Sequence, residues 1–201
     1  MKFLMVFVAA GMLMAASTER RAPSFTVPYG NVSTGKRFSL SEHSGKVLIM
    51  SFFTWDCKNC VKEIPFVIGL LNTYQEKGLR AAFLHVGVEG LGDFGDDYQF
   101  GSKFSAKKID AMFEGRREKV DWKTLTVVLD WNMLERSPIV YAKYIPEFRT
   151  KRTIATPHVV VIDASSSIVY DHAGWFENEA AGKKELEAAV TNALASLAIT
   201  R

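Results

Sequence analysis

Only two cysteines occur in the 201 residues, and they stand three apart as Cys57-Lys58-Asn59-Cys60. The stretch around them limits what the chain can fold into. Val47 to Phe53 is apolar almost throughout, the pattern of a strand buried on both faces of a helix-covered sheet. Val61, Ile64, Val67, Ile68 and Leu71 follow at helical spacing. The pair therefore marks a junction where a buried strand ends and a helix begins. The unpaired N–H groups and partial positive charge of a helix N-terminus stabilise a thiolate, and the thiolate is the nucleophile in thiol chemistry. Residues three apart share one face of a helical turn, so the two sulfurs can close a small disulfide reversibly. With Cys57 at the helix start and Cys60 one turn in, Cys57 is expected to be the exposed, attacking thiol of lower pKa. Cys60 is expected to be the covered, resolving thiol, and Lys58 adds positive charge beside Cys57.

Two plainer readings compete. A structural staple between residues three apart closes almost no loop, so it restricts the unfolded chain little. Half a zinc site needs two more ligands, and none of His43, His85, His158 and His172 shows a paired ligand spacing. The sequence thus predicts no metal, and thiol exchange needs no diffusible cofactor.

Lys2 precedes an apolar stretch from Phe3 to Ala16, with small residues at Ala15 and Ser17. This fits a secretory signal peptide cleaved after Ser17, and the stretch is short against the roughly 20 residues of a membrane span. Residues 1–17 are read as a signal peptide, or as an N-terminal anchor through residues 3–16, and residues 18–201 as one domain. The expected location is periplasmic or otherwise extracytoplasmic. The net charge is +3 and there is no run of five like charges, so charge gives no support to nucleic-acid binding.

Residues 18–24 read as a linker. Phe25-Thr26-Val27 and Phe38-Ser39-Leu40 read as two short paired strands. The helix after the cysteines is expected to contain Pro65, to run to about Lys77 and to stop at Gly78. Arg80 to Val86 is a second apolar strand, so strand, helix and strand imply a right-handed parallel crossover. Gly87 to Ser105, with five glycines among aspartates and aromatics, reads as a long loop. Ala106 to Lys119 reads as a surface helix and Leu125 to Leu129 as a third strand. A helix carrying Val140, Tyr141 and Tyr144 can start at Ser137-Pro138. Arg149, Lys151 and Arg152 form a small basic cluster, read as a solvated loop. Thr156-Pro157 opens the apolar strand His158 to Asp163, which a serine-rich turn joins to a returning strand, Ile168 to His172. An amphipathic helix from about Asn178 to Leu197 ends the pattern.

In this order the residues resemble a thioredoxin-like fold. Cys57-x-x-Cys60-x-x-Glu63-Ile64-Pro65 is similar to the characteristic motif of the TlpA/ResA family of exported thiol–disulfide oxidoreductases. Pro23-x-Phe25-Thr26, Leu40-Ser41 and Gly45-Lys46 resemble its N-terminal strands. The resemblance spans about Pro23 to Leu197, with residues 87–120 and 130–153 poorly matched. It implies an α/β fold with a central mixed β-sheet flanked by helices, an N-terminal β extension and an insertion. It also implies a cis bond at Thr156-Pro157 facing the cysteines, with the backbone of Thr156 open to a substrate's extended chain. Trp55 joins Thr156 and Pro157 as substrate-contacting residues, with Lys58, Glu63 and Pro65 in support. Some family members carry a buried acid after the second main strand, and Glu89 falls near that position. Asp56 and Asn59 stand where many relatives have Trp and Pro. Asp56 raises and Lys58 lowers the Cys57 pKa, so the dipeptide alone does not set the potential.

The activity that follows is reduction of protein disulfides through Cys57 and Cys60, with protein disulfide or dithiol substrates and a membrane thiol electron donor. A peroxiredoxin-like peroxidase is one alternative, since Thr54-x-x-Cys57 matches part of that motif, although Met50 stands where its proline is expected. A copper-binding thioredoxin-like chaperone is the other, with Cys57, Cys60 and His158 as ligands.

Overall fold

The computed structural model describes residues 20–28, 31, 36–54, 57–86, 124–130, 138–151 and 154–199. The expected signal segment 1–17, Trp55, Asp56, Glu89, the 87–105 loop and the 106–119 helix lie outside the described residues.

Seven strands are described: β1 (Thr26–Val27), β2 (Phe38–Ser39), β3 (Val47–Phe53), β4 (Leu79–His85), β5 (Leu125–Leu129), β6 (His158–Ile162) and β7 (Ile168–Ala173). The helices are α1 (Cys60–Tyr74), α2 (Tyr141–Tyr144), α3 (Pro146–Lys151) and α4 (Glu179–Ile199). β1 and β2 form a small antiparallel sheet of their own. The main sheet is mixed, in the order β5-β4-β3-β6-β7. β4 runs parallel to both β3 and β5, whereas β6 is antiparallel to β3 and to β7. The expected crossover through α1 is present, because a parallel neighbour cannot be reached by a tight turn.

β3 is the central strand, and all seven of its residues are buried. Successive side chains point to opposite faces, so β3 divides the interior into two cores. Val47, Ile49 and Phe53 pack with Ile64, Val67 and Leu71 of α1 and with Leu186 and Val190 of α4. Leu48, Met50 and Phe52 pack on the other face with Phe25 and Phe38 of the N-terminal segment and with Tyr141, Tyr144 and Phe148. Each buried Leu, Ile, Val or Phe contributes roughly 1.5–3 kcal/mol, so the ends of β3 are held firmly and the turn that follows it starts from a fixed point. α1 passes through Pro65 and ends in a short 3-10 turn, Gln75–Lys77. Gly78 then takes φ +105°, a left-handed conformation that favours glycine.

Several expectations are corrected. Residues 20–24 are not a free linker. The Ala22 N–H donates to the Ser166 carbonyl (2.8 Å), the Ile168 N–H donates to the Arg20 carbonyl (2.8 Å), and the Arg21 guanidinium donates to the Ser165 carbonyl. This segment therefore extends the edge of the β6–β7 hairpin. Arg149 and Lys151 belong to α3 rather than to a loop. The helix expected from Ser137-Pro138 begins only at Tyr141. The buried Asp130, just past β5, sets that start: its carboxylate accepts the N–H groups of Ile139, Val140 and Tyr141 at 2.7–2.9 Å. Three amides with no helical partner are thereby satisfied by one side chain. Among the described residues no helix is long and apolar enough to cross a membrane.

Candidate active site

α1 begins at Cys60, not at Cys57. Asn59 already has helical backbone angles, and its carbonyl accepts the N–H groups of Lys62 and Glu63. Cys57 to Cys60 thus form a turn continuous with the helix, with the Cys60 N–H donating to the Cys57 carbonyl at 3.1 Å. The same N–H lies 3.1 Å from the Cys57 sulfur. Cys57 and Cys60 are joined by a disulfide, with Cα atoms 5.3 Å apart. Cys60 is wholly buried, Cys57 is half-buried, and Lys58 and Asn59 are exposed. An amide aimed at the Cys57 sulfur at a helix N-terminus favours its thiolate once the bridge opens.

The loop before β6 lies beside this turn. The Cys57 N–H donates to the Thr54 carbonyl (3.3 Å), and the Thr54 hydroxyl meets the Thr156 hydroxyl (3.3 Å). The Thr156–Pro157 bond is cis. The Pro157 carbonyl accepts the Gly174 N–H at 2.7 Å. Among the described residues, the backbone N–H and C=O of Thr156 have no hydrogen-bond partner. Thr54 therefore ties the end of β3 to the loop through its hydroxyl and to Cys57 through its carbonyl.

The cysteine helix also carries a buried carboxyl. Glu63 is one turn along α1 from Cys60 and only 1% exposed. It accepts a hydrogen bond from the Ser51 hydroxyl of β3. Burial pushes the Glu63 carboxyl up to about 7, while the Ser51 bond pulls the other way. Asp130 is likewise pushed up to about 6 by burial, against the pull of its three amide donors. The buried acid of the described site is thus Glu63, within the cysteine motif. Pro65 is half-buried on the same helix.

His158 does not join the cysteines. It alternates with Val159 along β6, and Val159 faces the core that contains Cys60. His158 faces the opposite core, with ring centroids 6.2 Å from both Phe52 and Tyr141. Its Nε2 lies 2.6 Å from the Asp171 carboxylate, which also receives Arg20. Burial works to raise Asp171, but the bonds and charges of His158 and Arg20 outweigh it and hold the carboxyl below its usual range. The copper alternative therefore loses its third ligand to the other face of the sheet. Among the described residues no cluster of His, Cys, Asp and Glu is arranged to hold a metal ion.

Three contributors escaped the sequence reading. Ser51 is the one hydroxyl in the apolar run of β3, and that irregularity marked a buried polar partner. Asp130 is an acid directly after an apolar strand, which signals a cap. Tyr141, whose hydroxyl meets the backbone of Ala155, gave no local signal.

No family model matches the chain. It is 33% identical to the thiol-disulfide oxidoreductase ResA of Bacillus anthracis over 86 residues, 42% of this chain and 47% of that protein. It is also 33% identical over 55 residues to the protein DipZ of Mycobacterium tuberculosis, 27% of this chain and 8% of that one. The matched stretch thus spans about half the length of ResA and a small part of DipZ. Among solved structures, a thioredoxin family thiol:disulfide interchange protein of Chlorobium tepidum aligns with a TM-score of 0.55 at 21% identity. That alignment covers 90% of this chain and 99% of that one. The fold is thioredoxin-like, as the sequence order implied.

Proposed function

We propose that this thioredoxin-fold chain, a distant homologue of ResA, is a thiol–disulfide oxidoreductase that reduces protein disulfides outside the cytoplasm. The observation that carries the reading is the half-buried Cys57 sulfur at a helix N-terminus, 3.1 Å from the Cys60 N–H and bridged to a buried Cys60. In the reduced protein, the Cys57 thiolate attacks one sulfur of a substrate disulfide. A mixed disulfide forms, and the first substrate sulfur leaves as a thiolate and takes up a proton. Cys60 then gives up its proton and attacks the Cys57 sulfur, releasing the second substrate thiol. The substrate gains two electrons and two protons, and the pair is left oxidised.

Glu63, one helical turn along α1 from Cys60 and with its carboxyl pushed up to about 7, is the residue to which this reading assigns the Cys60 proton. Thr156, whose backbone groups have no partner among the described residues, pairs with an extended substrate chain in this reading, which also assigns substrate contacts to Pro157 and Trp55. Lys58 favours the thiolate by its charge. A membrane thiol donor restores the dithiol, and residues 3–16 direct export or anchor the chain.

Catalysed reduction of insulin disulfides by dithiothreitol tests the activity. The unchanged chain accelerates precipitation of the insulin B chain, and Cys57→Ser does not. Equal rates with and without the unchanged chain would refute the reading.

A further inference from the structure

The loop that faces the cysteines is pinned residue by residue. Thr156 is tied to Thr54, the Pro157 carbonyl to Gly174, and His158 to Asp171. Ala155 is held differently. The Tyr141 hydroxyl donates to its carbonyl at 3.1 Å and accepts its N–H at 2.9 Å. One phenol thus occupies both backbone groups of the residue before Thr156 and fixes the peptide units on either side of Ala155.

Tyr141 is itself fixed. Its ring is fully buried against Phe52 and Phe148, and its N–H is one of the three that Asp130 accepts. A cavity of about 510 Å³ has Tyr141, Ala155, His158 and Asp171 among its walls. The Tyr141 hydroxyl therefore fixes Ala155 beside open space that would otherwise let the loop shift.

We infer that Tyr141, braced by Asp130, is a positioning residue that fixes the Ala155 backbone and so orients the adjoining N–H and C=O of Thr156 for pairing with a substrate chain. This rests on the oxidoreductase reading above. It assigns a selective consequence: a substrate that pairs with the Thr156 backbone depends on that orientation. A small disulfide that makes no backbone pairing is indifferent to Tyr141.

The test compares Tyr141→Phe with the unchanged chain on a disulfide-linked peptide and on hydroxyethyl disulfide. For the peptide, KM rises about fivefold to tenfold with kcat held, the loss expected when about one hydrogen bond of ordering disappears. For hydroxyethyl disulfide neither constant moves, and the equilibrium with glutathione stays within about twofold. Asp130→Asn, which loosens the Tyr141 backbone without touching its hydroxyl, reproduces the peptide effect in weaker form. An unchanged peptide KM in Tyr141→Phe, or equal losses on both disulfides, would overturn the inference while leaving the oxidoreductase reading intact. No exchange by the unchanged chain would overturn both.

Discussion

Replacing Glu63 with glutamine separates the charge of the buried carboxyl from its shape. In the folded chain burial raises this group from its ordinary 4.5 to about 7. Between those two values the unfolded chain releases the proton while the folded chain keeps it. Stability therefore falls as pH rises through this window, by about 1.4 kcal/mol per pH unit. The penalty is absent below about pH 4.5 and complete above about pH 7, where it reaches on the order of 3 kcal/mol. Glutamine removes the titration. It keeps an oxygen for the Ser51 hydroxyl but buries an amide N–H₂, at a cost of about 1–3 kcal/mol that does not vary with pH. Urea unfolding of the oxidised protein at pH 5 and pH 8 isolates the pH-dependent part. Glu63→Gln gains on the unchanged chain by about 3 kcal/mol between the two, or roughly 6–12 °C in Tm for a chain of this size. Asp130 titrates in both proteins and cancels in the comparison. A difference between the two proteins that is the same at pH 5 and pH 8 would refute the argument that Glu63 is held neutral by burial.

Three further outcomes follow from the same geometry. Cys57→Ser abolishes disulfide reduction, whereas Cys60→Ser accumulates mixed disulfides through Cys57, visible as reducible adducts on non-reducing gels. If Cys60→Ser turns over normally without adducts, the attacking and resolving roles are misassigned. Gly182→Ala places a Cβ 2.1 Å from the Phe176 ring, an overlap expected to destabilise by about 1–3 kcal/mol; a thermal melt reads it, and an unchanged Tm would mean that Phe176 swings clear.

The cysteine motif and the strands beside it were legible because local patterns coincide there. β3 is buried on both faces, so its apolar run carries no polar interruption except Ser51, and α1 shows its stripe directly. The hairpin β6–β7 was marked by its serine turn, and Thr156-Pro157 by its position before an apolar strand. The features that escaped depend on contacts distant in sequence. Residues 20–24 look like a linker because their partners are backbone groups at 165–168, which composition cannot announce. The start of α2 is decided by Asp130, nine to eleven residues upstream of the amides it binds. His158 could be placed among the cysteines from sequence, yet the alternation of β6 settles it on the far face. Glu63, the buried acid among the described residues of the site, is supplied by the cysteine motif itself, while Glu89, placed by analogy of position, lies outside the described residues.

The central claim is that Cys57 and Cys60 form a reducing pair. Its reduction potential, measured by equilibration with dithiothreitol and glutathione buffers, tests this most directly. The account predicts a value near the about −270 mV of thioredoxin. A value near the about −120 mV of a strong periplasmic oxidant would contradict it and make the chain a donor of disulfides.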